Sequence, residues 1–316
     1  MKTRIFFVSD VHGSETCFRK FINGARFYGA KVLVLGGDIT GKALVPIVEQ
    51  QDGRYRLTLH GETVKIKKGE LEEYTKAIRN SGTYYFTTTE NELLELQNDK
   101  ARVDALFTES MKSVLRSWIN LANERLKGTG VTCYISPGND DKFEMDELLL
   151  DSECVVNPEN RVVEIRGGYE MITLGYANPT PWNSPREVSE EKLYEMIENL
   201  ATQLRAPEKS IFNLHVPPKG TEIDKAPAVD SELKYQREGL GMIKQIYAGS
   251  TAVRQAIEKH QPLLGLHGHI HESRGFVRIG RTLCINPGSD YGDGTLRGAL
   301  VDLEDGQVKE FMLTSG

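Results

Sequence analysis

Seven side chains of metal-binding type stand just past short apolar runs. Asp10 and His12 follow RIFFVS, Asp38 follows KVLVLGG, Asn139 follows CYISPG, His215 follows FNL, and His269 and His271 follow LLGLHG. Together they offer two carboxylates, one amide oxygen and four imidazoles, a donor set suited to two incompletely filled divalent-cation shells with a carboxylate between them. Four of the chain's seven histidines fall in this set, so it is not a background sprinkling of the residue. The chemistry such a pair supports is phosphoester hydrolysis. An anionic nucleophile must reach an anionic phosphorus centre, and two cations roughly 3.5 to 4 Å apart hold substrate oxygens and acidify a bridging water.

Ligands placed at strand ends are held by rigid elements while the space above stays open. The pattern here is α/β, of α+β type. RIFFVS, a helix over 14–28 and KVLVLG make a βαβ unit with the crossover that parallel strands require. From about Lys42 to Gly130 an insertion separates Asp38 from Asn139. RYRLTLHGETVKIKKG alternates about a central HGE turn and reads as a hairpin, a helix follows near 70–81, and Thr89 with Glu92 forms a capping box. That box opens a long helical stretch toward Lys127, stopped by Gly128 and Gly130. The insertion, approximately 42–130, reads as a cap subdomain within a single domain of residues 1–316, returned to the core by its last helix.

The core resumes at VTCYISPGND. A strand around Glu170 to Tyr176 leads into the loop ANPTPWNSPRE, with a helix start expected at Ser184, Pro185 and Glu187. After FNLHVPP, a polar, Gly- and Pro-containing connection reaches about Leu240. A helix over Thr251–His260 precedes LLGLHGHIH, and the tail reads as antiparallel strands. Two mixed sheets flanked by helices accommodate this order.

Composition bounds the alternatives. Apolar residues at 39% and charged residues at 27% mark a globular chain and exclude a disordered one. No apolar stretch approaches the roughly 20 residues of a membrane-spanning helix. The N-terminus runs straight into the first strand, so no removable signal is expected and the cytoplasm is the default location. Cys17, Cys133, Cys154 and Cys284 show no close pairing; Cys133 and Cys284 sit in strand-like runs and read as buried thiols. A net charge of −6 disfavours broad binding to duplex nucleic acid but not a small phosphorylated ligand, because a metal site brings its own positive charge.

D-x-H-G at 10–13, G-G-D at 36–38, G-N at 138–139, His215 after a strand and G-H-x-H at 268–271 resemble, in full motif order, the calcineurin-like metallophosphoesterase superfamily. The resemblance covers about residues 1–40 and 131–290. It implies a four-layer αββα sandwich of two mixed sheets with a dinuclear centre at the strand ends. It also implies Asp10, His12 and His271 as ligands of a first metal, Asn139, His215 and His269 as ligands of a second, and Asp38 as the bridge. Two divalent ions are thereby expected, manganese foremost, with iron, zinc or nickel as alternatives. The catalytic set carried over is Asp38, Asn139, His215 and the residue after the asparagine. In this chain that residue is Asp140, where many members carry histidine. A carboxylate beside two dications is ionised and a poor general acid, which tilts the expectation toward diesters or activated esters.

The remaining candidates concern substrate and support. Asn178, Trp182 and Arg186 lie in the proline-pinned loop, where Arg186 could clamp a phosphate and Trp182 could stack on a ring, or both could simply hold the loop. Asn286, Pro287, Gly288 and Ser289 form a turn after G-H-x-H that offers Ser289 to the substrate or serves structure alone. Gly249, Ser250 and Thr251 open a helix that could receive an anion, although capping explains them. His267 is expected to support or pack beside the ligands; His60 and His260 are expected to be structural or solvated. The expected function is metal-dependent hydrolysis of a phosphodiester or activated ester of a small molecule or nucleotide, with no membrane partner. A nuclease and a noncatalytic metal-bound scaffold are the alternatives. Against the nuclease, the hairpin mixes Arg54, Arg56, Lys65, Lys67 and Lys68 with Glu62, Glu70, Glu72 and Glu73. Against the scaffold, all seven ligands are intact.

Overall fold

The computed structural model describes residues 2–59, 61–149 and 154–316. Strand β1 (Thr3–Val8) shows how its layers arise. Its side chains alternate, Phe6 and Val8 entering one core and Ile5 and Phe7 another. Both faces of the strand are therefore covered, which is why TRIFFV is almost wholly apolar.

Three buried clusters define four layers. The first lies between an outer helical layer and sheet one, where Phe18 and Phe21 of α1 (Glu15–Tyr28) meet Leu115 and Trp118 of α4 (Lys100–Leu126). The Phe18 and Trp118 rings stack at 4.2 Å, and the single turn α5 (Asp146–Leu149) adds Leu149 to the same cluster. The second lies between the two sheets, with Val32 and Val34 on one side and Ile211, Leu264 and Ile285 on the other. The third packs Leu193 and Ile197 of α6 (Glu190–Ala201) and Val253 and Ile257 of α7 (Thr251–His260) on sheet two. This is the expected αββα sandwich.

Sheet one has β1, β2 (Val32–Gly36), β7 (Thr132–Ser136) and β8 (Val155–Val156) parallel, with β19 (Arg297–Glu304) and β20 (Gln307–Ser315) antiparallel beyond β1. Sheet two has β10 (Tyr169–Leu174), β11 (Ile211–Leu214), β16 (Leu264–Leu266) and β18 (Thr282–Asn286) parallel, edged by antiparallel β9 (Val162–Ile165) and β17 (Gly275–Ile279). The carboxyl ends of β1, β2, β7, β11 and β16 carry the ligand motifs. Binding at strand carboxyl ends is the general habit of open parallel sheets.

The inserted segment departs from expectation in detail. The hairpin β4 (Arg54–Leu59) and β5 (Glu62–Lys67) forms, and α2 (Leu71–Asn80) follows it. Two further strands, β3 (Ala43–Glu49) and β6 (Thr83–Thr89), complete a four-stranded sheet in the order β5-β4-β3-β6 around Ile47, Leu57, Ile66 and Ile78. The single long helix expected from Thr89 is two helices. Thr89 caps α3 (Glu90–Gln97), the chain breaks at Asn98, and Asp99 caps α4 by accepting from the Arg102 N–H. His60, read as structural or solvated, lies outside the described residues. The helix start expected at Ser184 is a turn instead. Glu187 accepts from the Ser184 and Thr180 N–H groups, and α6 begins at Glu190 under the Ser189 cap.

Between β11 and α7 the polar connection carries four short strands: β12 (Lys225–Pro227) pairs with β15 (Gln245–Tyr247), and β13 (Arg237–Glu238) with β14 (Met242–Ile243). Cys133 and Cys284 are buried thiols, as read.

Candidate metal centre

Sheet one delivers Asp10, His12, Asp38 and Asn139, and sheet two delivers His215, His269 and His271, so the two half-sets meet across the sandwich edge. The loops that present them are strained: Asp10, His12, Asp38 and His269 have φ of 56°, 39°, 49° and 67°. Left-handed backbone is uncommon for residues other than glycine and clusters at functional sites. The motif glycines allow the loops to close up. A Cβ on Gly138 would lie 2.2 Å from Asp38 Oδ1, and one on Gly268 would lie 2.3 Å from Asp10 Oδ2.

The donor atoms converge. Asp10 Oδ1 lies 3.4 Å from His271 Nε2, 3.9 Å from His215 Nε2 and 4.0 Å from His12 Nε2. Asp38 sits between, with Oδ1 3.4 Å from His215 Nε2 and Oδ2 3.5 Å from His12 Nε2. His12 Nε2 and His271 Nε2 face each other at 3.0 Å, and His269 Nδ1 faces Asn139 Oδ1 at 2.7 Å. All of these side chains are buried except those of His269 and His271, which are partly open.

Tautomers follow from the second ring nitrogens. His215 Nδ1 donates to the Gly36 carbonyl at 2.9 Å and His12 Nδ1 to the Thr40 carbonyl at 3.3 Å, so in the neutral rings both Nε2 lone pairs aim at carboxylates. Lone pairs turned toward anions in a buried cage call for a cation between them. His215 Nε2 is buried with no hydrogen-bond partner, an orphaned polar atom that an ion would satisfy. The Asn139 amide donates to Asp140 Oδ1 at 2.9 Å, which turns its oxygen inward. The residues present therefore fit divalent metal. Asp10, His12 and His271 form one group of mutually close ligand atoms, and Asp38 joins His215 and Asp10 in another.

The charges bear this out. Burial would raise Asp10, but His271, His215 and His12 hold it well below the ordinary carboxylate value. Burial raises Asp38 to about 6 against the pull of His215, with Asp140 and Asp10 adding repulsion. Burial lowers His269 to about 3. Against the burial that would lower it too, His215 is pushed up to about 10 by Asp38 and Asp10.

Asp140 lies at the edge. Burial opposes its charge, yet Lys42 and Ser184 keep it at about 2. Lys42 Nζ is 2.5 Å from its Oδ2, Ser184 Oγ donates to its Oδ1 at 2.6 Å, and its own N–H donates to Asp38 Oδ1 at 3.0 Å. Asp141, next in the chain, is fully buried and ties two ligand loops together. Its carboxylate accepts from the N–H groups of Ile39, Thr40 and Gly138 and from the Thr40 hydroxyl.

Of the substrate candidates, two are corrected. Arg186 is 1% exposed, and its donors are spent on the Asp141 and Lys142 carbonyls and on Asp146, with the guanidinium 4.4 Å from the Phe143 ring centroid. It binds the loop after Asn139 through four of its five N–H donors, and its burial keeps it from a phosphate. The Ser289 hydroxyl donates to the Asp10 carbonyl at 2.6 Å, which fixes the first ligand loop. Trp182 is 61% exposed in the same loop as Ser184, and the Asn178 amide donates weakly to the Ala248 carbonyl while its oxygen is buried without a partner.

Supporting residues behave as read. The His267 Nδ1–H donates to the Leu214 carbonyl, His260 pairs with Glu198, and the N-terminus of α7 is filled by the Glu190 carboxylate. Asn286 donates to the Gly268 and Ile270 carbonyls and accepts from Gly288, so its turn secures the G-H-x-H loop. The sequence reading missed Lys42, Asp141 as a clamp, and Tyr291, whose ring lies 4.7 Å from that of His12. Only the lysine directly after G-G-D-I-T-G hinted at the first.

No protein-family model matches the chain. A curated relative, the uncharacterized protein MJ1162 of Methanocaldococcus jannaschii, is 34% identical over 155 residues, which are 48% of this chain and 61% of that protein. Among solved structures, TT1561 of Thermus thermophilus aligns over 100% of this chain and 99% of its own, at TM-score 0.55 and 16% identity. A dimetal phosphatase from Danio rerio aligns more distantly, at TM-score 0.46 and 10% identity over 99% of this chain and 95% of its own. The likeness is one of fold: the chain shares the fold of TT1561 over its whole described length. No helix among the described residues is long and apolar enough to cross a membrane.

Proposed function

We propose that the chain hydrolyses a phosphoester at this centre, acting on a phosphodiester or activated ester of a small molecule or nucleotide. The observation that carries this is the buried cage in which imidazole lone pairs converge on the Asp10 and Asp38 carboxylates, where only a cation satisfies both. Asp10, His12, Asp38 and His271 would hold one divalent ion, and Asp38, Asn139, His215 and His269 the other. Such ions would supply positive charge for phosphoryl oxygens and acidify water.

The rest falls to the chain's own groups. Strained strand-end loops, the Asp141 clamp and the Asn286 turn fix the ligands in place. Asp140, anionic at neutral pH, holds Lys42 and Ser184 and donates no proton to a leaving group. Substrates whose leaving group departs readily, diesters and activated esters, suit that arrangement best.

Hydrolysis of chromogenic diesters and monoesters with Mn²⁺, Ni²⁺, Zn²⁺ and Mg²⁺ tests the proposal. Faster diester turnover is expected, with near-complete loss in Asp38→Asn and in His215→Ala. Undiminished turnover in both variants would refute it.

A further inference from the structure

Three carboxylates crowd the centre, Asp10 and Asp38 inside and Asp140 at the rim, and an anionic substrate approaching Asp140 would be repelled. Lys42 is the cation at that point. The backbone before it is pinned: Asp141 holds the Thr40 N–H, and the Gly41 N–H donates to the Tyr84 hydroxyl at 2.9 Å. Its ammonium reaches Asp140 Oδ2 at 2.5 Å, while the other Asp140 oxygen accepts from Ser184 and Asn139. Both Asp140 oxygens are thereby engaged, and a carboxylate oxygen of Asp140 also lies within 4.8 Å of ligand atoms of His12 and Asp38, so Asp140 ties Lys42 to the centre.

An ammonium has three N–H donors, and Asp140 takes one. The Lys42 side chain is 48% exposed, so it is open to solvent at the rim, and its charge is felt at His12, His271 and Tyr291. We propose, resting on the phosphoesterase reading, that Lys42 is a substrate-binding residue whose ammonium takes a phosphoryl oxygen of the substrate. Asp140 is then its positioning residue, and the first residue of the inserted segment completes the site.

Calorimetric titration of inorganic phosphate into metal-loaded wild type, Lys42→Ala and Lys42→Arg, with metal content measured in each, tests this. A charge-assisted hydrogen bond predicts affinity roughly 10- to 100-fold weaker in Lys42→Ala, with metal content unchanged and most of the loss recovered in Lys42→Arg. Equal affinity in Lys42→Ala and wild type, no phosphate binding by metal-loaded wild type, or loss of metal in Lys42→Ala would each overturn the assignment. If wild type hydrolyses no ester while phosphate affinity still falls in Lys42→Ala, the phosphoesterase reading fails and the anion-binding role of Lys42 stands.

Discussion

Asp141→Asn changes one atom and should loosen the centre without touching a ligand. The carboxylate accepts from Ile39 N and Gly138 N on one oxygen, at 2.9 and 2.8 Å, and from Thr40 N and Thr40 Oγ1 on the other, at 2.8 and 2.5 Å. An amide keeps one accepting oxygen and sets an NH₂ against the donors on the other side. With the NH₂ toward Ile39 and Gly138, two buried N–H groups lose their acceptor; turned the other way, the Thr40 N–H loses its own while the Thr40 hydroxyl can accept from the NH₂. Each such orphan costs about 1–3 kcal/mol, so the variant should be less stable by about 1–6 kcal/mol. The clamp joins the segment after Asp38 to the segment before Asn139, so metal retention should fall with stability. Urea unfolding and metal analysis on the same preparations measure both. A variant as stable as wild type that retains its full metal complement would refute the clamp, since even one weak orphan costs about 1 kcal/mol.

Arg186→Ala should act on stability and not on substrate affinity. Its removal leaves the Asp141 and Lys142 carbonyls without this donor at about 1–3 kcal/mol each, beside the loss of its pair with the part-exposed Asp146, whereas loss of a phosphate clamp would raise KM with stability intact; urea unfolding beside steady-state kinetics separates the two. Asp302 is paired through both oxygens with Arg4 at 2.7 Å, and those hydrogen bonds hold it below its ordinary value. A depressed carboxylate stabilises the fold fully above its unfolded pKa of about 3.9 and loses that contribution as pH falls through the folded value. Asp302→Asn should therefore be less stable than wild type at neutral pH, with the gap closing in acid. Unfolding midpoints that differ by the same amount across that range would contradict the sign.

The cluster of Asp, Asn and His side chains was legible because each member follows an apolar strand and the motifs come in order, so local sequence carries both the element and the residue types. The four layers were legible for a related reason: runs such as TRIFFV and VLVLG, apolar on both faces, announce strands covered on both sides. What escaped depends on long-range partners. Strand β3 hid behind Pro46, which argues against a strand. Its pairing with β4 is confined to Val48 and Glu49, so the missing N–H at Pro46 costs no bond on that side. The loop arginine looked available because Asp146, 40 residues earlier, cannot be seen to reach it. Lys42 is an exposed lysine after a turn, and only the placement of Asp140 across the loop gives it meaning.

The central claim, that the Asp10–His271 cage is a two-metal site, is tested most directly by metal stoichiometry. Wild type reconstituted with Mn²⁺ or Zn²⁺ and freed of excess ion should hold two ions per chain by elemental analysis, and Asp38→Asn, which weakens the carboxylate shared by both shells, should hold fewer. Wild type holding none under the same conditions, or Asp38→Asn still holding two, would contradict it.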